Sequence, residues 1–227
     1  MLETLHTIVK LLFQPDSELR QIIGVTLRMS LASTAIACVL GIPLGILLGL
    51  GSFRGKKLIL RLTHTLAGLP PVLAGLLVFF LLSRSGPLGR WKLLYSVGAM
   101  VLAQVLLITP IVTGLTAAAI GARAPAVFET AQGLGLSRWR YGVCLLYECR
   151  NQLFSVLFTG FGRAVSEVGA AQLVGGNVQY KTRVMTTAIV LETNMGRFDM
   201  ALGLGLVLLL ISFLVISAAQ LLQERVS

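Results

Sequence analysis

The chain has 227 residues, of which 56% are hydrophobic and 12% charged, with a formal net charge of +10. Charged residues in soluble domains run near a quarter, so this composition excludes an ordinary water-soluble fold and points to membrane helices. The basic residues sit in short loops between apolar runs, which ties the positive charge to topology and anionic lipid head groups and not to nucleic acid.

No run alternates polar and apolar residues as a membrane barrel strand does. The expected fold is therefore all-α, a polytopic bundle of five transmembrane helices with an N-terminal interfacial helix. Cys38, Cys144 and Cys149 are odd in number and lack metal or redox spacing, so all three are expected to be small buried side chains.

Residues 1–20 place Leu2, Leu5, Ile8, Val9, Leu12 and Phe13 at helical spacing before Pro15-Asp16, which predicts a short amphipathic helix at the membrane interface. No cleavable signal peptide is legible ahead of the first long span. That span runs from Gln21 to Leu50, and its excess length predicts tilt or a protruding end carrying Arg28. Gly41, Gly45 and Gly49 recur every four residues and form a flat strip on which another helix can pack, with Pro43 bending the helix within it.

The turn Gly51–Lys57, GSFRGKK, lacks the G-x-x-x-x-G-K-[ST] spacing of a phosphate-binding loop, because Leu50 stands where the first glycine belongs and Lys57 where the hydroxyl belongs. The second span, Leu58 to Leu82, contains Pro70-Pro71, either a static kink or the border of a pathway. Ser83 to Lys92 reads as a turn. The third span, Leu93 to Ile120, carries Gln104, Thr109, Pro110, Thr113 and Thr116, so one side of it turns away from lipid.

A polar island follows, Glu129 to Arg150, between two apolar runs. Pro125 suits the first turn of a helix, with Glu129 near its positive end. Gly135 can take the left-handed conformation that stops that helix, and Ser137 can cap the next. Leu136 and Tyr141 are spaced for a hydrophobic staple across the cap. This helix–glycine–helix unit reads as a socket for another protein.

The fourth span, Asn151 to Gly175, gathers Ser155, Thr159, Arg163, Ser166 and Glu167 within about a third of a helical wheel. Arg163 and Glu167 are four apart and can pair. Either charge alone costs about 2.5–3.5 kcal/mol or more at the bilayer centre, so the stripe is expected to face the bundle interior or water. It reads as a translocation path or gate, or else as a structural ion pair. Gly175 to Gly196 is too polar to span and is expected to hold a short helix dipping against the bundle. The fifth span runs from Met200 to Leu222.

His6 and His64 lie in different elements, and no metal-ligand cluster or Ser/His/acid arrangement is legible, which speaks against a membrane enzyme. Five spans put the termini on opposite sides. One side then holds nine cations (Arg54, Lys56, Lys57, Arg61, Arg123, Arg138, Arg140, Arg150, Arg225) and the other eight (Lys10, Arg20, Arg84, Arg90, Lys92, Lys181, Arg183, Arg197). The positive-inside rule thus favours a cytoplasmic island by a narrow margin.

The island resembles the coupling loop of ABC importer permeases, whose pattern is E-A-A-x-x-x-G. Glu129, Ala131 and Gly135 occupy the matching positions, Thr130 replaces the first alanine, and Tyr147-Glu148 stand where that family has Leu-Pro. PLGILLGLGSFRGKK, LPPVLAGLLVFFLLSRSGPLG, FGRAVSEVGAAQLVGGN and TRVMTTAIVLETNMG look like the tungstate-type branch, related to molybdate and sulfate permeases. The resemblance implies a type-1-like permease domain over 25–222, with its coupling loop at 125–150, behind the 1–20 segment.

It further implies a non-catalytic subunit that forms a homodimer with two ATP-binding subunits and an extracytoplasmic oxyanion-binding protein. ATP and magnesium would belong to the ATPase subunits, and no cofactor to this chain. The implied location is the cytoplasmic membrane, with lipids as neighbours, the N-terminus outside and the C-terminus in the cytoplasm. Glu129, Ala131, Gly135, Ser137 and Arg138 are the implied docking residues. A molybdate or sulfate permease, and more distantly a secondary anion transporter or membrane scaffold, are the alternatives.

Overall fold

The computed structural model describes residues 17–226, all-helical and without strands among them. The interfacial helix expected over 1–20 falls mostly outside the described residues. Nine α-helices follow among those described: α1 Ser17–Leu50, α2 Lys56–Ala67, α3 Pro71–Leu82, α4 Val97–Gly133, α5 Arg138–Glu148, α6 Arg150–Val165, α7 Gly169–Gly175, α8 Met185–Asn194 and α9 Phe198–Val226. A single 3₁₀ turn, Gly89–Trp91, lies in the loop before α4.

Three of these helices are long and apolar enough to cross a bilayer: Ser17–Leu50, Val97–Gly133 and Phe198–Leu221. The pair α2 and α3 qualifies only as one broken span. The second expected span is therefore two helices, parted at Gly68–Pro70, with Pro71 opening the second. Pro71 has no N–H to donate and sits at a position where none is needed, so the diproline starts a helix instead of kinking one.

The fourth expected span is also divided. α6 ends at Val165 and α7 begins at Gly169, which leaves Ser166 and Glu167 beyond the helical wheel on which they were placed. The third expected span is longer than its apolar run suggests. α4 continues unbroken to Gly133 and contains Pro125 in its interior, so that proline does not open a separate helix.

The chain forms two compact units, Met1–Ser33 (described from Ser17) with Pro70–Val105 and Gly162–Ser227, and Thr34–Leu69 with Leu106–Phe161. In the first, Leu19, Ile22, Met185, Ala188, Leu204 and Val207 make a buried cluster that seats the short helix α8 against α1 and α9. Gly75 lets α3 lie directly on α7, since a Cβ there would be 2.8 Å from the Ala170 Cα. Gln104, buried, accepts from the Ser33 hydroxyl at 2.6 Å and donates to the Ala164 carbonyl at 2.8 Å, tying α4 to α1 and α6.

In the second unit the glycine strip does what its spacing predicts. A Cβ at Gly41, Gly45 or Gly49 would stand 2.8, 2.5 and 2.8 Å from Val112, Thr116 and Ile120 of α4. Two helix backbones approach this closely only where one of them carries no side chain. The opposing Thr113 and Thr116 are buried, in keeping with a side of α4 that does not face lipid.

Replacing Gly45 with Val overpacks this contact. The expected cost is about 1–3 kcal/mol, read as a lowered unfolding midpoint in detergent. Gly24→Ala, where a Cβ meets nothing within 4 Å, is expected to leave the midpoint level or raise it slightly.

Candidate functional site

The polar island folds into a helical hairpin made by the end of α4 and all of α5. Gly135 adopts φ +64°, and the turn around it is a complete left-handed stop. The Leu136 N–H donates to the Ala131 carbonyl at 2.9 Å and the Gly135 N–H to Gln132 at 3.1 Å. These bonds satisfy carbonyls that the ending helix would leave open. Ser137 caps α5 through its hydroxyl, which accepts from the Arg140 N–H at 3.5 Å.

The inner face of the hairpin is apolar. Leu145 and Cys149 are buried with Ile120, and Val127, Tyr141 and Leu153 pack around them. Tyr141 turns back onto α4, edge-on to Phe128 with ring centroids 5.7 Å apart and its hydroxyl donating to the Ala124 carbonyl at 3.4 Å. Burial pushes the Cys149 thiol and the Tyr141 phenol above their usual titration ranges, so both stay neutral at pH 7. At the far end Arg150 stacks over the Tyr147 ring at 4.0 Å and donates to its carbonyl at 3.0 Å.

The outer face is where a partner can reach. Glu129, Gly135, Ser137 and Arg138 are exposed, whereas Ala131 is 4% exposed and supports the turn from inside. Alongside lies an open groove of ≈ 550 Å³ bordered by Arg123, Thr130, Leu134, Val143, Tyr147 and Glu148. Cys144 lines it too and is exposed, contrary to the expectation of three buried thiols; Cys38 and Cys149 are buried. Trp139 is 81% exposed and Leu134 69%. Sequence reasoning passed over Trp139, although a large apolar residue in a polar loop is itself the sign of a contact surface.

The second candidate group runs along α6. Ser155 and Thr159 are exposed, with hydroxyls donating to the Asn151 and Ser155 carbonyls. Arg163 and Glu167 pair at 2.8 Å although Glu167 lies past the helix end. The two differ in setting, Arg163 being 30% exposed and Glu167 2%. Glu167 has a second task, its other oxygen accepting from the Ala170 N–H at 3.0 Å in the first turn of α7. Its carbonyl accepts from the Thr186 hydroxyl at 2.8 Å. Ser166 is exposed and donates to the Arg163 carbonyl. Glu167 is thus the fastener of the α6–α7 break, while Arg163, Ser155, Thr159 and Ser166 remain open to contact.

Helices long and apolar enough to cross a bilayer, with a braced polar hairpin among them, define a polytopic membrane protein. The chain belongs to the family described as the binding-protein-dependent transport system inner membrane component, which its residues 41–227 match. It is 40% identical over 223 residues to the tungstate uptake system permease protein TupB of Peptoclostridium acidaminophilum, covering 98% of each chain. Identity is also 40% over 203 residues to the TupB of Campylobacter jejuni, covering 89% of this chain and 85% of that one. The fold matches a solved bacterial alginate ABC transporter, in complex with a periplasmic protein bound to alginate pentasaccharide. The TM-score there is 0.75 at 20% identity, over 99% of this chain and 88% of that one.

Removing Glu167 alone strands the Arg163 charge and the Ala170 N–H. Glu167→Leu is expected to destabilise by up to about 3–5 kcal/mol, the lower end applying because Arg163 reaches solvent. Glu167→Gln, which still accepts from Ala170, should lose less, and Arg163→Leu/Glu167→Leu should recover part of the loss. Thermal unfolding of the four proteins gives the order. Gly135→Ala puts a side chain into left-handed backbone at about 1–2 kcal/mol, expected to appear as faster amide exchange at Leu136.

Proposed function

We propose that the chain is the permease subunit of an ATP-driven importer that carries tungstate across the cytoplasmic membrane. The observation that carries this reading is the 40% identity, over 98% of both chains, to a tungstate uptake permease. The working assembly is a homodimer with two ATPase subunits and an extracytoplasmic binding protein. ATP and magnesium act on the ATPase subunits. The permease moves by alternating access: closure of the ATPase pair pulls on the hairpin, and the spans rock to open a central path outward.

The hairpin has the properties such a lever needs. Its two helices are locked by the Gly135 stop, the Ser137 cap and the Tyr141 packing, so a push at one end reaches α4 and α6 without being lost in a flexible loop. Glu129 and Arg138 offer charge and Trp139 and Leu134 apolar area, a mixture common at protein interfaces. The N-terminus lies outside and the hairpin and C-terminus in the cytoplasm, as the nine-to-eight balance of cations favours. Arg163, with the exposed hydroxyls of Ser155, Thr159 and Ser166, lines the anion's route. Its charge favours an oxyanion, and pairing with Glu167 keeps that attraction from becoming a trap.

In reconstituted vesicles with the cognate binding protein, tungstate is expected to compete with its own uptake more strongly than molybdate or sulfate. The opposite ranking would move the chain to one of those branches. Glu129→Lys and Gly135→Asp are expected to reduce ATP-coupled uptake at least about tenfold at normal protein levels, a loss of roughly 1.4 kcal/mol in coupling. Native uptake in both would remove the docking assignment.

A further inference from the structure

The turn that leaves α1 brings bare positive charge to the end of an apolar groove. Gly51–Lys57 carries Arg54, Lys56 and Lys57, and Arg61 follows one turn further along α2. No Asp or Glu occurs in the chain between Glu18 and Glu129. Arg54, Lys57 and Arg61 are exposed, and none of them has an ion pair among the described residues. Lys56 is half-buried, and its ammonium donates to the Gly49 carbonyl at 3.2 Å, one of those left open where α1 ends. That one bond fixes the ammonium and leaves its other donors available.

Lys56 heads a face of α2 that continues at helical spacing through Ile59, Thr63 and Leu66. Those three line an open groove of ≈ 600 Å³, with Leu47 of α1, Phe53 of the turn and Pro110 of α4 on its other sides. No charged side chain lines the groove, and Leu47, Phe53, Ile59 and Leu66 are all exposed. Its depth in the membrane is set by α1. Gly49 lies against Ile120, which is buried with Leu145 and Cys149 of the hairpin, and Ile46 packs on the same cluster. The basic turn is therefore on the hairpin's side, close to where a ~20-residue crossing that begins at Val97 ends.

We propose that this groove seats one anionic phospholipid of the leaflet on the hairpin's side. An acyl chain lies between α1 and α2, and Arg54, Lys56 and Lys57 hold the phosphate. Basic pockets between helices at the membrane surface suit such head groups. A lipid matches both halves of the seat. A free phosphate or nucleotide uses the cations and leaves the apolar wall bare, and GSFRGKK lacks the spacing of a nucleotide's phosphate loop. A neutral lipid covers the wall and leaves the cations without a counterion. A second copy brings more of the same charge, since this compact unit holds eight Lys and Arg residues against two carboxylates, Glu129 and Glu148.

The test titrates the purified, detergent-solubilised transporter complex with phosphatidylglycerol or phosphatidylcholine of equal chain length and counts bound lipid by native mass spectrometry. Arg54→Gln/Lys57→Gln/Arg61→Gln, which spares the Lys56 bond to Gly49, is expected to weaken phosphatidylglycerol binding at least about tenfold and to leave phosphatidylcholine unchanged. Leu47→Trp narrows the groove without touching a cation and is expected to weaken phosphatidylglycerol at least about threefold. Phosphatidylglycerol should raise the unfolding midpoint of the native complex and not that of the triple variant. Equal binding by native and triple-variant complexes overturns the seat, as does an equal loss for both lipids. Displacement of phosphatidylglycerol by inorganic phosphate at matched ionic strength overturns it in favour of a free-anion site. A fall in oligomer mass in Leu47→Trp with lipid binding unchanged overturns it in favour of a contact between copies. Lipid counting needs neither tungstate nor ATP, so its result stands apart from the importer reading.

Discussion

A bilayer offers no water to a broken helix, so each interruption of a span must find hydrogen-bond partners within the protein. Much of this fold is shaped by that constraint. At the α6–α7 break the Glu167 carboxylate accepts from the Ala170 N–H, and the Thr186 hydroxyl donates to the Glu167 carbonyl. After α7, Thr182 accepts from the Val178 N–H and donates to the Gly175 carbonyl. Before α8, the Met185 N–H reaches the Thr26 hydroxyl of α1 and the Val184 N–H reaches Thr187. Small hydroxyl side chains and one buried carboxylate thus do within the protein what solvent does for a loop.

This accounting also separates the parts of the α6 stripe. Read on a wheel, Arg163 and Glu167 form a symmetrical pair. In the folded chain Glu167 is consumed by the break it secures, with one oxygen on Arg163 and the other on Ala170. Arg163 keeps part of its surface open. A residue that holds backbone together is poorly suited to move during transport, while a half-open guanidinium can meet a passing anion. The proposed route accordingly leans on Arg163 and the hydroxyls, with Glu167 as the anchor that sets where Arg163 stands.

The hairpin and the 83–95 loop are held rigid in two different ways. The hairpin is braced by an apolar inner face, Leu145 and Cys149 against Ile120, which leaves the outer face free for contact. The 83–95 loop has no core of its own. It is braced by backbone geometry, with glycines where no Cβ fits and positive φ at Lys92 and Tyr95.

What the sequence determined by itself is local or periodic. Composition settled the membrane class, and the four-residue glycine repeat identified the α1–α4 contact. Gly135 and Ser137 marked the hairpin's turn, because a left-handed stop and an N-cap depend on one residue and its neighbours. The tertiary structure decided where spans break, that α4 runs through Pro125, that Cys144 is exposed, and that the basic turn after α1 heads an apolar groove. Hydropathy does not place either break: α2 carries Arg61, Thr63, His64 and Thr65 where α3 is wholly apolar, yet the two read as one span, and Ser166–Val168 falls within a single helical stripe. Local partners satisfy part of each break, but Met185 depends on Thr26 and Glu167 on Thr186, and only the folded chain brings such pairs together.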